Sequence, residues 1–282
     1  MANGAYLFTR PRAQGGLLDT AVARSATIAG ELKMHTNTVN DLLPEVRARL
    51  KRARRVFVLT GAGVSAESGV PTFRGGAGAA IWKGMPFSLI SSAGVLERDL
   101  PAVWEWFDYR RDALKDLQPN PAHHALAKMQ DNLDSFALGT QNIDDLHTRA
   151  GSRGVLELHG NIWRARCAQC QERIDLRAIG EAERPPTCRA CGAPMRPDVV
   201  LFGEMLPAGV FERAAAAAMR CDLCFVVGTS ALVYPAMQLP EVALQAGAYT
   251  VEINPERTPF SDSCHAVLQG RAGDVLTEVN SE

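Results

Sequence analysis

Short apolar runs alternate with amphipathic stretches along most of this chain. Val56–Thr60, Ser135–Gly139, Val155–Leu158, Leu223–Val227 and Tyr249–Ile253 have the length and apolar character of buried strands. Pro121–Asp131 and Phe211–Arg220 carry helical patterns between them. Upstream, Asp41 is a candidate helix cap, and Leu43, Val46 and Leu50 then fall on one helical face. Strand and helix in alternation predict an α/β fold with a parallel sheet covered on both faces.

Two stretches interrupt the rhythm. Gly75–Asn120 contains Trp82, Trp104 and Trp106 and reads as helical; Asn161–Pro197 is rich in Cys, Arg and Pro. Together they are expected to form a smaller module beside the sheet. The predicted organisation is a sheet domain from 41–75, 121–160 and 198–282, and a small helical and zinc-ribbon domain from 76–120 and 161–197. Residues 1–40 show no sustained period and read as a disordered arm, or as sequence upstream of a start at Met34.

The small module takes its name from two cysteine pairs. Cys167 and Cys170, then Cys188 and Cys191, flank residues 171–187 with the spacing of a four-thiolate zinc site. Zinc closes such a site as a tetrahedron with no position left for substrate, so one structural Zn²⁺ is expected and the chemistry belongs elsewhere. Cys221 and Cys224 share the spacing but lack a second pair, and read as core or near-surface thiols.

Charge excludes little but points one way. Thirty basic against 31 acidic residues give a net charge of −1, without the basic excess of a nucleic-acid binder. Arg47, Arg49, Lys51, Arg52, Arg54 and Arg55 cluster between the first helical pattern and the first strand and read as a solvated helix face rather than an anion site. Seven cysteines, four of them paired for a metal, suit a reducing compartment, hence the cytoplasm. No apolar run approaches the roughly 20 residues that span a bilayer, so no membrane partner is expected.

Candidate chemistry collects where strands end. Gly61-Ala62-Gly63-Val64-Ser65-Ala66 follows the first strand, a context in which glycines let the backbone approach a pyrophosphate. The breaks at Gly69, Pro71, Gly75 and Gly76 then make a long loop instead of a second βα unit, with Phe73 to lie against a ring and Arg74 near phosphate. That hints at a dinucleotide without hydride transfer. Gln141, Asn142, Ile143 and Asp144 follow Thr140; they suit a ribose and a carboxamide, or equally form a hydrophilic turn. Gly228-Thr229-Ser230 and Asn254 add polar turns at two more strand ends. His159 ends another and is placed for acid–base work, its ordinary pKa of about 6.5 leaving it mostly neutral at pH 7. The rival role, zinc ligation, weakens because four cysteines complete that shell. His123 and His124 read as packing or surface residues; His147 reads as a helix-surface residue, with a second polar-site role as the alternative.

These residues together resemble the sirtuin family of NAD-dependent protein-lysine deacylases. The resemblance rests on GAGVSAESGVPTFRG at 61–75, TQNIDDLH at 140–147, LHGN at 158–161, the four cysteines, PDVVLFGE at 197–204, GTS at 228–230 and INPE at 253–256. It covers roughly residues 41–280, and looks closest to bacterial members and the branch that removes acidic acyl groups. The resemblance implies a Rossmann-like domain and a smaller zinc-binding and helical insertion domain, with the active site between them. NAD would be the co-substrate and acylated proteins the partners. Gly61, Ala62, Gly63, Ser65, Phe73, Arg74, Gln141, Asn142, Ile143 and Asp144 would surround NAD. Gly228, Thr229, Ser230, Asn254, Pro255, Glu256 and, through its backbone, Ala272 would hold the adenosine half. His159 would be the general base on a ribose hydroxyl. The acyl oxygen would attack the ribose carbon as nicotinamide leaves, the ribose oxygen would attack the resulting imidate, and water would release lysine and O-acyl-ADP-ribose. The peptide would add as a strand between Val200–Glu204, including Phe202 and Gly203, and Leu232–Tyr234.

One departure bears on substrate. Members that prefer succinyl, malonyl or glutaryl lysine carry Tyr-x-x-Arg in the helical insertion; here Arg110 is present but Phe107 replaces the tyrosine. The expectation is deacetylation, with weakened activity on acidic acyl groups. Rival readings are mono-ADP-ribosyl transfer, NAD cleavage without a peptide, and a non-enzymatic zinc-ribbon binding module.

Overall fold

A computed structural model describes residues 39–71, 81–179 and 184–281; the expected arm at 1–40, but for its last two residues, and Phe73 and Arg74 lie outside them. Six parallel strands form the main sheet, in the spatial order Ala266–Gln269, Tyr249–Asn254, Leu223–Val227, Arg55–Thr60, Ser135–Thr140, Leu156–Glu157. The sheet's first and fourth strands in chain order are neighbours at its centre, and the order runs outward from them in opposite directions. This is the doubly wound arrangement, whose ligand crevice lies where the order reverses, beyond the carboxyl ends of the strands. Residues from Gly61 and Gly228 leave the two central strands at that point.

Successive side chains of a strand face opposite ways, and the sequence obeys this. Val56 and Val58 join one core with Leu223, Phe225 and Val227, covered by helices Val39–Arg52, Pro121–Asp131 and Ala272–Val279. Phe57 and Leu59 join the other with Cys224 and Val226, under helices Ala208–Arg220 and Gln238–Gln245. Burial on both faces explains why these strands read as apolar runs and not as alternating patterns. Each such Leu, Val or Phe contributes about 1.5–3 kcal/mol by leaving water. Leu43 and Val46 are buried and Leu50 packs against them, as the helical face predicts. The sixth strand, Ala266–Gln269, is absent from the sequence-based expectation: four residues with one polar end give little period.

The insertions differ from expectation in detail. Within the first, Ile81–Trp82 and Met85–Pro86 pair as a small antiparallel hairpin before the helices Phe87–Ile90, Ala93–Arg98 and Leu100–Leu114. The second builds a three-stranded antiparallel sheet in which Gly160–Cys167 lies between Arg173–Asp175 and Met195–Val199. Both pack together: Trp106, Phe107 and Ile90 meet Ile162, Trp163, Val199 and Leu201 in one apolar cluster. Trp104 caps a second cluster over Cys167, Cys188 and Met195.

Candidate functional site

The glycine loop and the Gly228 turn lock together by backbone. Gly63 N–H donates to the Gly228 carbonyl at 2.7 Å and Gly61 N–H to Val227 at 3.0 Å. Gly228 has φ +59°, and a Cβ there would lie 2.4 Å from the Val64 nitrogen, so no other residue fits. Helix Pro121–Asp131 clips the loop from behind. Asn120 caps it in a capping box with His123, and its amide also donates to the Val64 carbonyl at 2.8 Å and to Ser68 Oγ at 3.0 Å.

Onto this frame the next strand end adds its polar residues. Asn142 Nδ2 donates to Ser65 Oγ at 3.0 Å and to the Gly61 carbonyl at 3.1 Å. Ser65 donates to Asp144 Oδ2 at 2.7 Å, while Leu146 N–H holds the other oxygen at 3.0 Å. Gln141 reaches Thr229 Oγ1 at 3.0 Å, joining the two sides of the crevice. Burial raises the Asp144 pKa, against the pull of Leu146 N–H and the Ser65 hydroxyl. Ile143 is half-buried against the insertion cluster, and its carbonyl accepts Ile162 N–H at 2.9 Å. Ala62 and Ser230 border the crevice with partial exposure.

His159 closes the crevice floor. Its Nδ1 lies 2.8 Å from the Gln141 carbonyl. A carbonyl only accepts, so Nδ1 carries the proton and Nε2 presents a bare lone pair. That Nε2 is buried and without a hydrogen-bond partner. Burial holds the imidazole pKa below its ordinary value, so it stays a neutral base at pH 7.

Beneath lies a tier of buried polar groups that sequence reasoning undervalued. His147, expected on a helix surface, is 2% exposed. It donates to Thr60 Oγ1 at 2.9 Å, and Thr60 donates to Thr140 Oγ1 at 2.8 Å. The two threonines are register partners at the ends of adjacent strands, a signal readable only once the pairing is known. His123 is fully buried and its Nε2 lies 3.3 Å from Ser65, while His124 is exposed. The His123 and His147 rings meet edge to face at 4.8 Å.

Burial lowers His123 to about 4 and His147 to about 3, in each case aided by a neighbouring histidine. Unfolded, both titrate near 6.5, so below that pH the unfolded chain binds more protons and stability falls on acidification. Between pH 7 and pH 5 each is expected to withdraw about 2 kcal/mol. Urea midpoints at the two pH values measure this, and His147→Asn should flatten the fall.

The remaining predicted cofactor residues lie along the same strand ends. Asn254 Nδ2 donates to the Glu256 carbonyl at 2.8 Å, and Pro255 and Glu256 are exposed. Ala272 is buried in the first turn of the last helix, tied to the glycine loop by Gly273 N–H to Glu67 Oε1 at 2.9 Å.

On the insertion side, Phe107 is 1% exposed and packs in the aromatic cluster. Arg110 is half-buried, its guanidinium 5.6 Å from the Trp106 ring centre. Its pKa is lowered by burial to about 10, with Asp144 opposing, so it remains a cation. Val200 N–H donates to the His159 carbonyl at 2.9 Å, and Phe202 is exposed, edge-on to Phe87 at 5.5 Å. Gly203 has φ +88° and turns the segment. Glu204 spends its carboxylate within the loop, on Leu201 N–H at 2.8 Å and on both terminal nitrogens of Arg196. Leu232 is exposed across the crevice.

The four cysteine sulfurs lie within 4.8 Å of one another, with neighbouring pairs at 3.5–3.6 Å. That is far beyond a disulfide and close to the roughly 3.8 Å edge of a tetrahedron with 2.3 Å zinc–sulfur bonds. Backbone N–H groups of Cys170 and Gln169 point at Cys167 Sγ, and the former lowers its pKa to about 6. The donor set fits one structural Zn²⁺. Cys221 and Cys224 are both buried, as core thiols.

A model of the Sir2 family matches residues 61–235. The chain is 47% identical over 234 residues to an NAD-dependent protein deacylase of Thermus thermophilus, covering 81% of this chain and 90% of that protein. It is 46% identical over 237 residues to a deacylase of Ralstonia nicotianae, covering 82% and 93%. A crystal structure of a Sir2 homolog–NAD complex superposes with a TM-score of 0.78 at 39% identity, covering 84% of this chain and 91% of that one. A Sir2–p53 peptide–NAD⁺ complex gives 0.73 at 31% identity, covering 84% and 96%. The chain belongs to the Sir2 family, the sirtuins.

Proposed function

We propose that the crevice between the two central strand ends carries out NAD-dependent removal of acyl groups from protein lysines, with His159 as its general base. The chain is an NAD-dependent protein deacylase, whose products are nicotinamide, free lysine and O-acyl-ADP-ribose. The observation that carries the residue assignment is the buried, unpartnered Nε2 of His159, just past the end of strand Leu156–Glu157. NAD, when bound, supplies the labile nicotinamide–ribose bond and the ribose hydroxyls that receive the acyl group. Asn142, Ser65 and Asp144 form a prepaired set for the ribose and carboxamide. Thr229, Ser230, Asn254 and the backbone at Ala272 line the adenosine side. His159 Nε2 takes the ribose hydroxyl proton, and the Gln141 carbonyl keeps the ring in the tautomer that can do so.

Val200–Glu204 and Leu232–Tyr234 are irregular segments on either side, outside any named strand. An extended acyl-lysine peptide lying between them would pair by main chain, giving affinity with little demand on sequence. Seven cysteines without a disulfide, four of them clustered for zinc, suit a reducing compartment, and we place the enzyme in the cytoplasm on that ground. Among the described residues, no helix is long and apolar enough to cross a membrane.

The test is nicotinamide release from NAD across a panel of acylated peptides, with mass analysis of the products. O-acyl-ADP-ribose supports the reading; ADP-ribosylated protein would favour transferase chemistry instead.

Acyl preference follows from Phe107 and Arg110. Arg110 can pair with a terminal carboxylate by two hydrogen bonds, while Phe107 offers no phenol. We expect acetyl-lysine to be preferred over succinyl-lysine. Phe107→Tyr should raise kcat/KM on succinyl-lysine about tenfold, the worth of one hydrogen bond to a charged group. Flat succinyl turnover in that variant removes Phe107 from the acyl pocket.

A further inference from the structure

The three-stranded sheet of the zinc module has one apolar and one charged face. Ala165, Cys167 and Met195 point into the core under Trp104. Arg164, Arg166, Arg196 and Asp198, alternating with them, lie on the other side. Beside that charged face, the chain after Val200 borders an open recess of about 450 Å³. Arg166, Arg173, Arg196, Asp198, Glu204 and Met205 are among its walls.

The charges in the recess do not balance. Arg196 is matched by Glu204, and Arg164 by Glu157. Asp198 alone then serves Arg166 at 3.4 Å and Arg173 at 3.1 Å, besides Arg164 at 3.1 Å. One positive charge is left over. It falls to Arg173, which holds Asp198 through Nε only; its terminal nitrogens have no partner among the described residues, and its side chain is 54% exposed.

The position matters as much as the charge. Val200 and Glu204 line this recess and belong to the segment that flanks the crevice. Gly160, also in its wall, directly follows His159. Met205 stands at the lip, 59% exposed. A polypeptide with its acyl-lysine at His159 therefore passes the mouth of a recess with one unmatched guanidinium.

We propose that this recess is a subsite for a single carboxylate side chain, Asp or Glu, of the substrate polypeptide near the acyl-lysine, held by the free fork of Arg173. The subsite rests on the deacylase reading and adds to it a preference for acidic flanking sequence. One carboxylate neutralises the cluster. A doubly charged phosphate would overshoot it, facing Asp198 and Glu204 at close range.

The experiment uses the full-length enzyme and acetyl-lysine peptides in which one Asp is moved along both flanks, each paired with its Asn counterpart. At one register, Asp should lower KM about fivefold against Asn with kcat unchanged. The advantage should fade at high salt. Arg173→Gln should abolish it, Arg173→Lys should retain part of it, and the Asn peptides should be turned over alike by all three enzymes. Fluorescence anisotropy of the same peptides reads the preference without turnover. Loss of turnover on the Asn peptides by the parent enzyme would thus count against deacylation, and not against the recess. If no register distinguishes Asp from Asn, or Arg173→Gln weakens both alike, the subsite does not exist. A stronger response to phosphoserine than to Asp would also overturn the carboxylate assignment.

Discussion

His159→Ala is expected to bind NAD as the parent does and to deacylate about 10²–10⁴-fold more slowly, the usual worth of a positioned general base. The size of the loss depends on whether any neighbour can take the proton instead. Asp144 has both carboxylate oxygens occupied, by Ser65 and by Leu146 N–H. Ser65 gives its single proton to Asp144, so His123 meets Ser65 with Nε2–H and accepts Asn120 N–H at Nδ1. His147 likewise donates through Nε2, because Thr60 gives its proton to Thr140. Two buried ring nitrogens are left bare among the described residues, His159 Nε2 and His147 Nδ1; the second belongs to a ring 2% exposed that is spent on Thr60 and packs edge to face on His123. The substitution leaves the Gln141 carbonyl without its partner, a stability cost of about 1–3 kcal/mol that unfolding curves will register. NAD titration separates that cost from catalysis, and single-turnover assays measure the proton-transfer defect. Turnover within tenfold of the parent would refute the assignment. The parent's pH profile is a second reading: because burial lowers the His159 pKa, the acid limb of kcat/KM should lie below the ordinary 6.5.

How much of this is legible in the sequence differs by kind of residue. The central strands are readable because burial on both faces makes them unbroken apolar runs, and Leu223–Val227 is placed to the residue. The strand-end polar residues are readable because the strands are. Ser65, Asn142 and Asp144 are found in one hydrogen-bonded set. What the sequence hides is anything fixed by pairing across the sheet or by the packing of one element on another. His147 sits in a helix of four residues, Leu146–Arg149, too short to show which side is buried. Thr60 and Thr140 look like ordinary strand ends until register places them side by side. Glu204 reads as a substrate contact in the motif, yet Arg196, eight positions earlier and across a turn, claims its charge. The charged face of the zinc module has the same fate. Arg164, Arg166 and Arg173 are scattered cations in the sequence and become one cluster around Asp198 only when three short strands align.

Removing the zinc is expected to cut turnover by orders of magnitude while leaving the main sheet folded. The zinc module has little else to hold it. Its core cluster under Trp104 is small and includes two of the cysteines themselves, and one of its strands, Arg173–Asp175, is three residues long. Small units of this kind depend on a metal, whose binding is worth about 10–16 kcal/mol in isolated zinc fingers. The consequence for catalysis is positional. Strand Gly160–Cys167 begins one residue after His159, and strand Met195–Val199 ends one residue before Val200. Gly160 has φ +81°, and a Cβ there would come within 2.0 Å of the Asp198 carbonyl, so the two strands cross at backbone contact beside the base. Releasing the cysteines frees both strands and with them the imidazole and the substrate segment. Cys188→Ser, or chelation of the parent, should therefore cut turnover by at least about 10²-fold, since small misplacements of catalytic groups cost that much. Two readouts are independent of activity. Metal analysis should fall from one zinc per chain to none. Trp104, fully buried with its indole N–H on the Met195 carbonyl at 2.9 Å, should shift its emission to the red as that strand loosens. Metal-free protein with unshifted Trp104 emission and full turnover would show that the cysteine cluster does not hold His159 in place.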